Sequence, residues 1–249
     1  MINKPIISTY DLTVSYNETV AVEKCNLEIF ADDFVGIIGP NGGGKTSLVK
    51  AILHLVDYKG GIDYSPELLR RGAIGYLPQQ NSFDKSFPIS VLELVLSGLQ
   101  SQKGFFGQYT ARDRQRAREL IEQMGIASVA ERPVGEISGG QLQRGLLCRA
   151  VIGEPRLLIL DEPANFVDNN FEKELYDILR ALNERMTIMM VSHDVGTITT
   201  VVKSVVCVNR TVHRHPTAEL TSELLDNYRC PIQVISHGRV PHTVLGEHE

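Results

Sequence analysis

Eight residues, Gly39-Pro40-Asn41-Gly42-Gly43-Gly44-Lys45-Thr46, constrain this chain more than any other stretch. They satisfy the spacing G-x-x-x-x-G-K-[ST]. Before them runs Phe34-Val-Gly-Ile-Ile38, a short apolar run that reads as a strand. After them comes Ser47-Leu-Val-Lys-Ala-Ile-Leu-His54, whose apolar residues recur at helical spacing. Strand, glycine loop and helix in that order are the context of a phosphate-binding loop. Glycines let the backbone curl so that successive N–H groups point at phosphate oxygens, and the helix start adds its positive dipole end. Lys45 is then placed to neutralise the β- and γ-phosphates, the Thr46 hydroxyl to ligate Mg²⁺, and the Ser47 hydroxyl to reach the α-phosphate.

A second element supplies what such a loop needs. Leu157-Leu-Ile-Leu160 is a continuous apolar run followed by Asp161-Glu162, the pattern of a strand buried on both faces. Ligands in α/β sheets sit at the carboxyl ends of strands. There Asp161 can hold the magnesium and Glu162 can accept a proton from an attacking water. Residues 6–14 and 20–30 alternate apolar with polar and predict strands, as do the apolar runs 187–191 and 205–208, with a helix over 171–184 between the later ones. From Pro88 to about Val151 the stretches 91–96, 111–124 and 141–151 favour helices. The expected fold is a mainly parallel α/β P-loop NTPase (RecA-like) core interrupted by a helical insert.

Composition narrows the remaining classes. The chain has 249 residues, 43% hydrophobic and 22% charged, with 21 Gly and 11 Pro, which is globular and excludes disorder as the main state. The apolar runs 186–191 and 205–208 are far short of the roughly 18–20 residues that span a bilayer. The opening residues carry no apolar signal segment, so a cytoplasmic location is expected. A net charge of −5 gives no general attraction to nucleic acid or anionic lipid. The four cysteines, Cys25, Cys148, Cys207 and Cys230, form no CxxC pair and read as reduced thiols.

Ile137-Ser138-Gly139-Gly140-Gln141, followed by Leu142-Gln143-Arg144, resembles the LSGGQ signature of ABC-type ATPases. Tyr16 after the first strand, Gln79 in Gly75-Tyr-Leu-Pro-Gln79, Asp168 in Asn165-Phe-Val-Asp168 and His193 in Val191-Ser-His193-Asp194 follow in family order across residues 5–215. The resemblance implies that Tyr16 stacks on adenine, Gln79 senses the Mg²⁺ and the attacking water, and His193 contacts the γ-phosphate and orients Glu162. Ser138, Gly139, Gly140 and Gln141 would meet the γ-phosphate of ATP bound on a second subunit, with Asp168 at that dimer interface. It also implies an antiparallel β subdomain and a helical signature subdomain within one nucleotide-binding domain. On that division, 1–87 and 152–215 form the core, 88–151 the helical subdomain and 216–249 an accessory tail. Two positions depart from the family pattern. Ile137 replaces leucine, and Phe166 stands in the stretch before Asp168, where bulk bears on closure of the dimer.

Phe87-Pro-Ile-Ser-Val-Leu-Glu-Leu-Val-Leu-Ser-Gly98, Val191-Ser-His-Asp-Val-Gly196 and Val206-Cys-Val-Asn-Arg210 look like the ATPase subunits of zinc, manganese and iron importers. The implied protein hydrolyses ATP as a homodimer or with a paired ATPase subunit. It sits peripherally on the inner membrane face through integral-membrane permease subunits, with a substrate-binding protein as indirect partner. The alternatives are import of an iron chelate such as a siderophore or haem, and a soluble ABC ATPase of translation or DNA repair. Phe83, Phe87, Phe105, Phe106 and Tyr109 either receive a permease helix or pack inside the helical subdomain. Arg112, Arg114, Arg116 and Arg118 read as a solvated helix. His213, His215, His237, His242 and His248 either bind metal or belong to an ordinary tail, and their spacing carries no tetrahedral-site signature.

Overall fold

A computed structural model describes residues 4–79, 88–103, 107–164 and 169–216, with the backbone alone at 169, 170, 195, 232–236 and 241–245. The chain forms two compact units, residues 1–65 with 187–249, and residues 66–186.

In the first unit, β1 (Pro5–Tyr16) pairs antiparallel with β2 (Thr19–Cys25), β3 (Glu28–Phe30) and β5 (Lys59–Tyr64). The alternation over 20–30 predicts one strand, yet the chain breaks at Asn26 and Leu27. Lys24 has φ 44°, and the Asn26 amide turns back on its neighbours, donating to the Lys24 carbonyl and the Asp11 carboxylate while accepting from the Asp11 N–H. Thr9 Oγ1 completes the break by donating to the Cys25 carbonyl and accepting from Leu27 N–H. Side-chain bonds of this kind compete with the strand ladder, which a pattern of apolar residues does not register.

The other strands of this unit are parallel at their centre. β4 (Phe34–Ile38), buried along its whole length, pairs in parallel with β8 (Thr187–Val191) and β9 (Ser204–Asn209), and β10 (Thr211–His215) returns antiparallel on β9. Burial on both faces explains the unbroken apolar runs of β4 and β8. Asp33, just before β4, accepts from Ser204 Oγ and Arg214 Nη2, each at 2.8 Å. The Arg214 guanidinium also lies over the Phe30 ring, so one ion-pair cluster ties the β3–β4 turn to β9 and β10. α1 (Lys45–Ile52) follows β4, α7 (Val195–Ile198) follows β8, and β11 (Ile232–Ser236) pairs antiparallel with β12 (Pro241–Leu245).

The second unit joins β6 (Ile74–Leu77) and β7 (Leu157–Asp161), paired in parallel, to the helices α2 (Val91–Ser97), α3 (Gln100–Lys103), α4 (Ala111–Gln123), α5 (Gly139–Val151) and α6 (Asn169–Asn183). α2 packs against α4 and α5. Three starts are reciprocal capping boxes: Ser90 with Glu93, Thr110 with Asp113, and Ser138 with Gln141. On α4 the arginines lie on the outer side, with Arg116 paired to Glu154 and Arg118 to Glu131, while Ala117 and Ile121 are buried.

Cys25, Cys148 and Cys207 are buried. Burial pushes the Cys148 thiol up to about 12 and that of Cys25 up to about 11, far from thiolate reactivity. Cys230 lies outside the described residues. No helix among the described residues is long and apolar enough to cross a membrane.

Candidate nucleotide site

The glycine loop takes its shape from close backbone approach. Gly39 (φ 149°) and Gly44 (φ 102°) occupy conformations that side chains rarely adopt. A Cβ there would land on the carbonyl oxygen of Val208 or Ala21, respectively. The loop is closed by Gly43 N–H donating to Pro40 and by Arg210 N–H donating to Gly43. Lys45 is buried, and its ammonium donates to the carbonyls of Gly39 and Pro40 at 2.9 Å each. Asn41 and Gly42 are exposed at the tip, and Thr46 and Ser47 are half-buried on the first turn of α1.

That first turn differs from those of α2 and α4. α2 and α4 begin under the carboxylates of Glu93 and Asp113. Asp113 is held down to about 2, first by Lys103 at 2.6 Å and then by Thr110, and Glu93 is lowered by the Ser90 N–H. α1 begins at Gly44 with no side-chain cap and no acidic residue. An uncapped, acid-free N-terminus beside a buried ammonium is chemically a site for a phosphate-bearing ligand. The glycine cradle that a Cβ would fill fits such a group.

β4 and β8 are parallel neighbours, so the turn 192–194 emerges at the same carboxyl edge as the loop, with Ser192 N–H donating to Ile37. His193 is exposed there. The Asp194 carboxylate accepts from the N–H and the hydroxyl of Thr197 and so serves as the cap of α7. Tyr16, at the end of β1, is 43% exposed.

In the second unit the register of β6 on β7 sets Leu77 opposite Leu160. Two residues further along each strand come Gln79 and Glu162, and Gln79 Nε2 donates to Glu162 Oε2 at 2.7 Å. Glu162 has φ 53°, a left-handed conformation disfavoured for a residue with a Cβ and shared among the described residues with others such as Lys24 and His54. Asp161 is 1% exposed at the end of β7. Burial first, and the Asp161 charge second, push Tyr76 up to about 12. Within the second unit the oxygens of Asp161 and the Gln79 amide are hard donors of the kind Mg²⁺ takes, and in the first unit the Thr46 hydroxyl is by its chemistry another.

Ser138 is the N-cap of α5, accepting from Gln141 N–H while its own N–H donates to Gln141 Oε1. Ile137 is buried, so its departure from leucine is a change of packing shape. Tyr109 is half-buried, its hydroxyl donating to Gln100. Asp168, Phe166, Phe83, Phe87, Phe105 and Phe106 lie outside the described residues. His213 and His215 are on β10, with His215 buried. His237 and His248 lie outside the described residues, as does the side chain of His242. Among the described residues no group of three or more His, Cys, Asp or Glu is placed to hold a metal ion. Gln143, which follows the signature run but carries no role in the sequence, is a buried polar residue whose amide donates to the Pro163 carbonyl. Its signal was a glutamine at helical spacing from Leu146 and Ala150.

The family model described as ABC transporter matches residues 22–165. The chain belongs to the ABC transporter family. This ABC ATPase is 34% identical over 222 residues to a probable metal transport system ATP-binding protein of Thermotoga maritima, covering 88% of each chain. It is 32% identical over 242 residues to the zinc uptake system ATP-binding protein ZurA of Listeria monocytogenes, covering 91% of this chain and 94% of that one. Its fold matches that of an ABC transporter assigned to the metal-chelate type and solved in an inward-facing conformation, at TM-score 0.79 and 24% identity over 97% of each chain. The α/β P-loop architecture expected from the sequence is therefore that of this ABC ATPase, an enzyme whose ATP hydrolysis is coupled to transport.

Proposed function

We propose that the protein hydrolyses ATP as a dimer and powers import of a metal ion of the zinc, manganese or iron class through a separate membrane permease. The Gln79–Glu162 contact carries the hydrolytic part of this reading. A carboxylate steered by an amide, next to a buried Asp161, suits a base that positions and deprotonates water. In this proposal the loop from Gly39 to Ser47 binds the phosphates, with Lys45 leaving its loop carbonyls for the β- and γ-phosphates, and Tyr16 stacks on the adenine. Thr46, Asp161 and Gln79 would hold Mg²⁺, which supplies neutralisation of phosphate charge. His193 orients Glu162 and contacts the γ-phosphate. Ser138, Gly139, Gly140 and Gln141 act on the nucleotide of the opposite subunit, and Asp168 lies at the subunit interface.

The division into a core (1–87 and 152–215), a helical subdomain (88–151) and a tail (216–249) belongs to the same proposal. Permease docking falls to the segment around 80–109, which would keep the protein on the cytoplasmic face of the membrane. The names of the relatives support a metal cargo. Glu162→Gln tests the hydrolytic reading: the variant is expected to bind ATP, dimerise and fail to turn over, and undiminished hydrolysis overturns it. Reconstitution with a candidate partner permease tests the cargo. Zn²⁺ or Mn²⁺ uptake is the expected result, and uptake of a chelate alone removes the metal-ion assignment.

A further inference from the structure

Helix α5 does more than present Ser138. Gln143, five residues on, is 2% exposed, and its Nε2 donates to the Pro163 carbonyl at 2.9 Å, while its Oε1 is buried without a hydrogen-bond partner. Burying an acceptor in this way is costly, and an apolar side chain of the same length would avoid the cost. Pro163 directly follows Glu162, whose φ of 53° needs support from its surroundings. The next residue, Arg144, donates to the Met124 carbonyl at 2.9 Å and lays its guanidinium over the buried Phe171 ring at 3.9 Å. Two adjacent side chains of α5 therefore hold Pro163, just after β7, and Phe171, in the first turn of α6.

We infer that Gln143 is a positioning residue for hydrolysis, holding the strained Glu162 in its working orientation through Pro163, with Arg144 bracing the start of α6 through Phe171. This rests on the assignment of Glu162 as the base. Because Ser138 opens the same helix, the inference also gives a physical route by which engagement of α5 by the opposite subunit's nucleotide bears on Glu162. A base displaced by a fraction of an ångström slows chemistry without weakening ground-state binding.

The test is Gln143→Met, which keeps the volume and removes the donor. The expected result is a kcat lower by about tenfold or more, with the KM for ATP and the affinity for ADP within about twofold of native and ATP-bound dimers accumulating in size-exclusion runs. Arg144→Lys keeps the charge, loses the planar stack on Phe171, and is expected to lower kcat in the same direction by about threefold. A Gln143→Met kcat within twofold of native overturns the inference. So does loss of ADP binding or of the fold in step with kcat, which makes Gln143 a packing residue. No turnover in the native protein overturns the hydrolytic reading instead, which separates the two failures.

Discussion

Gln79 and Glu162 are 83 residues apart in the chain and 2.7 Å apart in space. The parallel register of β6 on β7 brings them together, and the amide N–H can steer one carboxylate oxygen without changing the net charge. Gln79→Leu is expected to lower kcat by about 10²-fold, the range of a positioned acid–base interaction. Gln79→Glu sets two carboxylates side by side, which raises the pKa of the pair, so its acid limb should move to higher pH. A Gln79→Leu kcat within twofold of native would show that the contact plays no part in turnover.

The backbone at Glu162 carries a second, separable effect. At φ 53° any Cβ is unfavourable. Glu162→Ala and Glu162→Gly both remove the carboxylate, but only glycine relieves the backbone. Thermal or urea unfolding should find the glycine variant about 1 kcal/mol more stable than the alanine variant, with both inactive. Equal stabilities would mean that the surroundings adapt around the left-handed residue.

Much of this site is legible in the chain because its parts are local. A glycine loop between a strand and a helix, or two acids after four apolar residues, can be read without knowing what lies opposite. The parts that escape reading depend on distant partners or on the lack of a side chain. β5 contains Gly60 and Gly61 and offers little periodicity, and β6 is only four residues long. The break at Asn26 depends on Thr9 and Asp11, which lie more than a dozen residues earlier. Gln143 looks like an ordinary helical glutamine until Pro163 is found beside its amide.

The loop glycines are not equivalent. An alanine at Gly39 meets both a disfavoured φ and the Val208 carbonyl, whereas at Gly42 (φ 76°) a Cβ has open space around it. Gly39→Ala should cost about 3 kcal/mol or more of stability and abolish nucleotide binding. Gly42→Ala should cost about 1–2 kcal/mol. Unfolding curves and ADP titrations would show the difference, and equal losses at the two positions would contradict the assigned contact with Val208.

Gln141 caps α5 with a neutral group where α2 and α4 use carboxylates. A neutral cap leaves the positive end of the helix dipole undiminished. Gln141→Glu should therefore raise the melting temperature slightly, by about 0.3–1 kcal/mol of added helix stabilisation, while weakening ATP-driven dimerisation by about tenfold through repulsion of the incoming phosphate. Dimerisation unchanged in this variant would argue against a phosphate at this helix end.

His215 gives the stability of the first unit a pH dependence. It is 3% exposed, and burial, with the neighbouring His213 charge second, lowers its pKa below the ordinary 6.5. Between the unfolded and folded values the unfolded chain binds more protons, so stability rises with pH across that window. The contribution is complete above about 6.5 and is lost as pH falls through the folded value. Melting temperatures should decline from pH 7.5 to 5.5, and His215→Gln should flatten that decline. A variant as acid-sensitive as the native protein would assign the effect to another group.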